Sequence, residues 1–168
     1  MDPCRNSIER FLQRQIGRWR GLPRGCKAEE IANWLSFNDG AGRALYGADR
    51  VEYEFRSLTY AGFTSGVFFY FSRGDLEFIS TEYWSFDAAE CAAVLGELGN
   101  PESKLDFFWK TDKIESGEWV YAARGISVAV VPATQLIAMV TAFPPCAPDV
   151  YSARYRSTAL AREFRGDN

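Results

Sequence analysis

A faint internal echo constrains this chain more than any other feature. The stretch 27–40 (KAEEIANWLSFNDG) reads like the stretch 87–100 (DAAECAAVLGELGN), with Ala28, Glu30, Ala32 and Leu35 matched by Ala88, Glu90, Ala92 and Leu95. Each copy leads into strand-like sequence, VEYEF at 51–55 and KLDFF at 104–108. Each then reaches a Gly-led apolar strand, a tight turn and another strand, from Gly66 and from Gly125. A helix-then-strands unit written twice predicts a single domain, 1–168, with similar halves at 26–84 and 86–145 and a C-terminal helix at 149–165.

Local signals fill in the elements. Asp2-Pro3 starts a helix whose apolar residues Ile8, Phe11, Leu12, Ile16 and Trp19 share one face, while Arg10, Arg14 and Arg18 form a stripe on another. A second helix buries Ala28, Ile31, Ala32 and Leu35, and the glycine-rich stretch 38–47 reads as a loop. Val51, Tyr53 and Phe55 alternate with Glu52, Glu54 and Arg56, the period of a half-exposed strand. The run 63–72 is apolar on both faces and reads as a central strand, and Arg73-Gly74-Asp75 is a hairpin turn into 76–84. Asp87 and Glu90 spell a capping box, Phe86 can staple onto Cys91, and Gly99-Asn100-Pro101 ends that helix. Four short strands follow, at 105–110, 118–123, 125–131 and 135–143, and Asp149 can cap a last helix. The order lacks a strand-helix alternation, so the class is α+β, antiparallel sheet with packed helices.

Composition excludes more chemistry than it suggests. The chain has no histidine, which rules out Ser-His-Asp and Cys-His nucleophile systems. It has neither a P-loop nor a dinucleotide fingerprint. We therefore expect a non-enzyme with no cofactor. Cys4, Cys26, Cys91 and Cys146 are widely spaced, so no metal site and four free thiols in a reducing compartment are expected. With no signal segment or apolar span, the expected location is the cytoplasm, with no membrane contact.

The net charge of −3 hides a segregation. Residues 1–28 sum to +5, residues 29–149 to −10 and residues 150–168 to +2. The acidic body argues against direct nucleic-acid binding, although the aromatic run 67–71 could suggest base stacking. Either the termini neutralise the body, or an acidic face meets a basic partner. Asp106, Trp109, Asp112, Glu115, Glu118 and Trp119 mix acids with large aromatics, as binders of basic protein surfaces do, and an ordinary hairpin rim has the same composition. Glu52, Glu54 and Glu77 make a second candidate face, with Glu52 and Glu54 read as solvated.

The segments LGNPESKLDFFW (98–109), GEWVYAARGISVAV (117–130) and AFPP (142–145), with RWRGLPRGCKAEEIANWL (18–35), resemble small bacterial immunity proteins of polymorphic or contact-delivered toxin systems. The resemblance implies a protein that binds a cognate toxin and neutralises it by contact, and it transfers no catalytic residue. A chaperone or adaptor for a secreted effector is the first alternative. A small-molecule-binding or enzymatic domain with Phe69 and Phe71 lining a pocket between helix and sheet is the second.

Overall fold

The computed structural model describes residues 2–17, 19–35, 42–45, 50–82, 87–109 and 114–156, with the backbone alone at 42–45, 56–57, 82, 106–109 and 114–116. Helix α1 (Pro3–Leu12) opens the chain, followed by an irregular segment and α2 (Ala28–Leu35). A meander of β1 (Gly42–Leu45), β2 (Arg50–Tyr60), β3 (Phe63–Ser72) and β4 (Asp75–Glu82) follows. Helix α3 (Ala88–Leu98) leads into a second meander of β5 (Ser103–Trp109), β6 (Ile114–Tyr121), β7 (Ile126–Val130) and β8 (Ile137–Ala142). The two meanders join through their last strands into one antiparallel eight-stranded sheet, ordered β1-β2-β3-β4-β8-β7-β6-β5. Each copy of the sequence echo is thus a helix followed by four strands, and the class is α+β.

Register separates two sheet faces. Phe55, Phe69, Ile79, Ala142, Ile126 and Tyr121 share the face that packs on α1, α2 and α3. The main core lies here, with Ile8, Phe11, Ile31, Cys91 and Val94 from the helices. Phe69 and Phe71 are fully packed in it, so they do not line a pocket. On the opposite face, Tyr70, Phe78, Val120 and Phe143 pack against Tyr151 and Tyr155. Those tyrosines come from a C-terminal segment that is helical at Pro148–Val150 and π-helical at Tyr151–Arg156. With both faces covered, β3 is buried from Val67 to Phe71, as a central strand requires.

Several local readings hold in detail. Asp2 and Asp87 cap α1 and α3, the latter accepting from the Ala89 and Glu90 amides. Gly99, with φ 73°, ends α3. Arg73 and Gly74, at φ 54° and 80°, make a two-residue turn of the mirror-image type that suits a hairpin's twist. Ala61 and Gly62, at φ 50° and 86°, do the same between β2 and β3.

Other readings are corrected. Helix α1 stops at Leu12, before Ile16 and Trp19, because Arg14 takes a left-handed conformation at φ 60°. Ile16 and Trp19 are still buried, through an irregular segment that Arg124 clamps by donating to the Gly17 carbonyl at 2.7 Å. Arg14 is not on a solvated stripe: it bonds Glu90 at 3.4 Å and lies over the Phe63 ring. Arg18 lies outside the described residues, as does Phe86 with its expected staple. The stretch read as a loop at 38–47 contains β1, which gains its strand form by pairing with β2. The strand expected to run to Ala123 ends at Tyr121, where Ala122–Arg124 form a 3₁₀ turn.

The expectation of four free thiols is also overturned. Cys4 and Cys26 form a disulfide, with Cα atoms 5.7 Å apart, while Cys91 and Cys146 are free. The bond ties α1 to the strand-like approach of α2, where the Leu76 amide donates to the Cys26 carbonyl at 2.8 Å. No helix among the described residues is long and apolar enough to cross a membrane.

Candidate functional site

The nine residues singled out for partner contact fall into three groups. Asp106, Trp109 and Glu115 lie on the β5–β6 hairpin at the edge of the sheet, with Asp112 in its tip, outside the described residues. Adjacent rungs pair Phe108 with Glu115 and Trp109 with Ile114. The β6–β7 pairing ends at Gly117↔Val130, whereas the β5–β6 pairing runs on through Ser116, Glu115 and Ile114. Three rungs of the edge hairpin therefore extend past the end of its inner neighbour. The β2–β3 hairpin likewise runs beyond β4, through Leu58↔Ser65 to Tyr60↔Phe63, at the same end of the sheet.

Glu118 and Trp119 do not belong to that rim. Strand alternation sends them to opposite faces. Trp119 is half-buried against the helix-side core, with the Lys104 ammonium 4.3 Å from its ring centre. Glu118 is 4% exposed on the other face. It accepts from the Tyr151 hydroxyl and, at 2.9 Å, from Arg156 Nε. Ser127 Oγ stands 3.0 Å from the same tyrosine oxygen and completes the cluster. A buried carboxylate is tolerated here because a guanidinium and a hydroxyl satisfy it. Its role is to hold the C-terminal segment on the sheet.

The second candidate face also changes character. Glu52 is 5% exposed and therefore buried, not solvated. It pairs by register with Tyr70, and both lie on the side covered by the C-terminal segment. Glu54 is half-buried one rung pair further along. Glu77 takes both arms of a fork from Arg154, at 2.9 and 2.7 Å. Of this face, Glu52 and Glu77 serve the inside of the fold or an ion pair before they serve a partner.

The segment that sequence reading underrates is 148–156. Its signal is present: Tyr151 and Tyr155 four residues apart, with Arg154 and Arg156 between and beyond them. Tyr151 stacks obliquely on Phe143 at 4.6 Å, and Tyr155 stacks on the same ring at 5.1 Å. Burial, then the Glu118 charge, pushes the Tyr151 pKa well above the ordinary tyrosine value. The folded state therefore holds this proton more tightly than the unfolded chain does. The resulting stabilisation is complete below the ordinary tyrosine pKa of about 10 and fades as pH rises above it. We expect Tyr151→Phe to lower stability by about 1–3 kcal/mol, since it strips a hydroxyl donor from a buried carboxylate. Urea unfolding at neutral pH measures the loss, and the same titration at alkaline pH should show a shallower decline in the variant. An unchanged urea midpoint would remove the cluster's structural role.

Among the described residues no group of three or more Cys, Asp or Glu side chains is placed to hold a metal ion. No protein-family model and no curated protein sequence matches the chain. Among solved structures, a cysteine-rich secretory protein from Staphylococcus aureus is similar at a TM-score of 0.43 and 10% identity, over 82% of this chain and 46% of that one. The chain thus spans under half the length of that protein, and a likeness this slight carries no argument about function.

Proposed function

We propose that this chain is an immunity protein, which binds one toxin domain and neutralises it by protein–protein contact without catalysis of its own. The observation that carries the reading is the edge hairpin. It puts Glu115 and Trp109 on adjacent rungs past the end of its inner neighbour, with Asp106 on the last rung that neighbour flanks and Asp112 between Trp109 and Glu115 in the chain. By register Asp106 and Glu115 share one face of the hairpin and Trp109 lies on the other, so the edge offers acid and aromatic on its two sides; the charge would speed encounter with a basic surface and the aromatic would supply buried area. The net charge of −10 over residues 29–149 supports the same polarity of partner. A cytoplasmic site of action belongs to this reading, but the Cys4–Cys26 disulfide pulls against it, since cytosolic thiols are kept reduced. The thiol state of the native protein decides between them.

The test has two stages. Affinity capture from the native host should return a near-stoichiometric partner that is toxic when expressed alone and harmless when co-expressed with this chain. The triple variant D106K/D112K/E115K should then bind that partner at least about 100-fold more weakly, equivalent to about 2.7 kcal/mol, and fail to protect. A partner that keeps its activity when bound would favour a chaperone or adaptor. Full protection by the triple variant would move the interface off this hairpin.

A further inference from the structure

The sheet ends at β1 on one side and at β5 on the other. Among the described residues β5 pairs with β6 and with no further strand. The pairing runs from Ser103↔Val120 to Trp109↔Ile114 without the register shift that interrupts β2–β3, β3–β4 and β7–β8. No proline falls within 103–109, so every residue of the strand keeps its amide. A regular edge of this kind presents an outer row of amides and carbonyls that fits another strand.

The side chains along β5 say which strand fits. By register Lys104 and Asp106 lie on the helix-side face, in line with Trp119 and Gly117 of β6. Ser103, Leu105 and Phe107 lie on the other face, where Leu105 packs against the cluster around Tyr151. Lys104 is exposed, with its ammonium over the Trp119 ring, and a cation on a ring still has hydrogens to offer a carboxylate. Opposite Asp106 on β6 stands Gly117, which brings no side chain to it.

Consider a second copy of β5 laid antiparallel against the first about a twofold axis. Strand alternation keeps helix-side face beside helix-side face only when one residue meets its own copy on the axis. Axes at Leu105, Asp106 and Phe107 are the ones that pair at least five residues of the strand 103–109. The axis at Asp106 sets two carboxylates against each other, and the axis at Phe107 sets Asp106 against Phe108. The axis at Leu105 sets Lys104 against Asp106 twice, so that four charges alternate around it, and it joins Leu105 to Leu105 on the opposite face. A lysine on an edge strand ordinarily deters a second edge. With an aspartate two residues on, it selects a register instead.

We propose that β5 pairs with β5 of a second copy of this chain, antiparallel about an axis at Leu105, joining two eight-stranded sheets into one. Five rungs make a small interface, so the dimer is a weak one, with a dissociation constant of about 10–100 μM. The pairing shares Asp106 with the toxin interface proposed above but does not rest on that reading, and its test needs no toxin.

The experiment is sedimentation velocity on the intact chain from about 5 to about 500 μM, a range that brackets the expected constant. A reversible monomer–dimer equilibrium is expected. Lys104→Asp and Asp106→Lys should each weaken it about tenfold or more, because symmetry turns both attractive pairs of the dimer into repulsive ones. The double variant K104D/D106K exchanges the charges and should return to within about threefold of the parent. Urea midpoints of each variant separate lost association from a damaged fold. A chain that stays monomeric throughout the range would overturn the proposal. So would a dimer indifferent to both single exchanges, or a double variant that dimerises no better than the single ones.

Discussion

Replacing Gly125 with alanine is expected to cost the fold about 2–5 kcal/mol, a large share of the stability of an ordinary domain. Two effects add. Gly125 sits in the left-handed region at φ 66°, ψ 40°, where an L side chain costs about 1–2 kcal/mol. A Cβ there would also collide with the Phe143 carbonyl oxygen and stand 2.9 Å from Gly21 Cα and 3.1 Å from the Pro145 nitrogen. All three are backbone atoms and cannot swing aside. They are fixed by the Phe143 amide bonding the Gly125 carbonyl at 2.9 Å and by the Leu22 amide bonding the Phe143 carbonyl at 3.2 Å. Trp19 Nε1 bonds the same Gly125 carbonyl at 3.1 Å, so the N-terminal segment would shift as well. Forced overpacking of this kind adds about 1–3 kcal/mol. Gly25 is the control: its φ is 79°, yet an alanine methyl there would meet no atom within 4 Å. Gly25→Ala should therefore show only the conformational cost. Equal losses in the two variants, read from urea midpoints at 25 °C, would show that the close approach at Gly125 carries no energy of its own.

That junction also marks where sequence reading stops. Features set by local chemistry are legible. The Asp87 cap needs only a side-chain oxygen before free amides, and Arg73-Gly74 needs only a glycine at positive φ. Features set by distant partners are not. Ile16 and Trp19 continue the apolar spacing of α1, so periodicity extends the helix to residues that reach the core without it. Only the meeting with Arg124 and Gly125, about a hundred residues away in sequence, settles their backbone. Strand β1 escapes the sequence pattern because pairing with β2, not residue preference, makes it a strand. Glu52 and Glu118 read as solvated or partner-facing because alternation assigns a face without saying what covers it. The C-terminal segment covers that face and turns Glu118 into an internal anchor. The edge hairpin is easier to read, because consecutive residues of one hairpin stay together whatever the rest of the fold does.

The Cys4–Cys26 bond joins residues 22 apart in sequence, and its removal is expected to lower stability by about 3 kcal/mol through the entropy that the unfolded chain regains. For a chain of this size that corresponds to a fall in Tm of roughly 6–12 °C. The C4S/C26S variant should show this fall and then be indifferent to dithiothreitol. The parent should show it only when dithiothreitol is added. The effect should exceed a loop's own entropy if the bond also steadies its surroundings. Cys26 sits beside Lys27, whose ion pair with Asp75 and backbone bridge to it dock this segment on the β3–β4 turn. Mass measurement after denaturing alkylation gives an independent reading. Without reductant two thiols, Cys91 and Cys146, should be modified, and with reductant all four. Denaturation is needed because Cys91 is buried and accepts from the Ile137 amide at 3.4 Å. If four thiols react in protein taken directly from its host, the pair is reduced in life and a cytoplasmic site of action is favoured. Two reactive thiols would place folding in an oxidising compartment, and a toxin neutralised there would have to be met before it reached the cytosol.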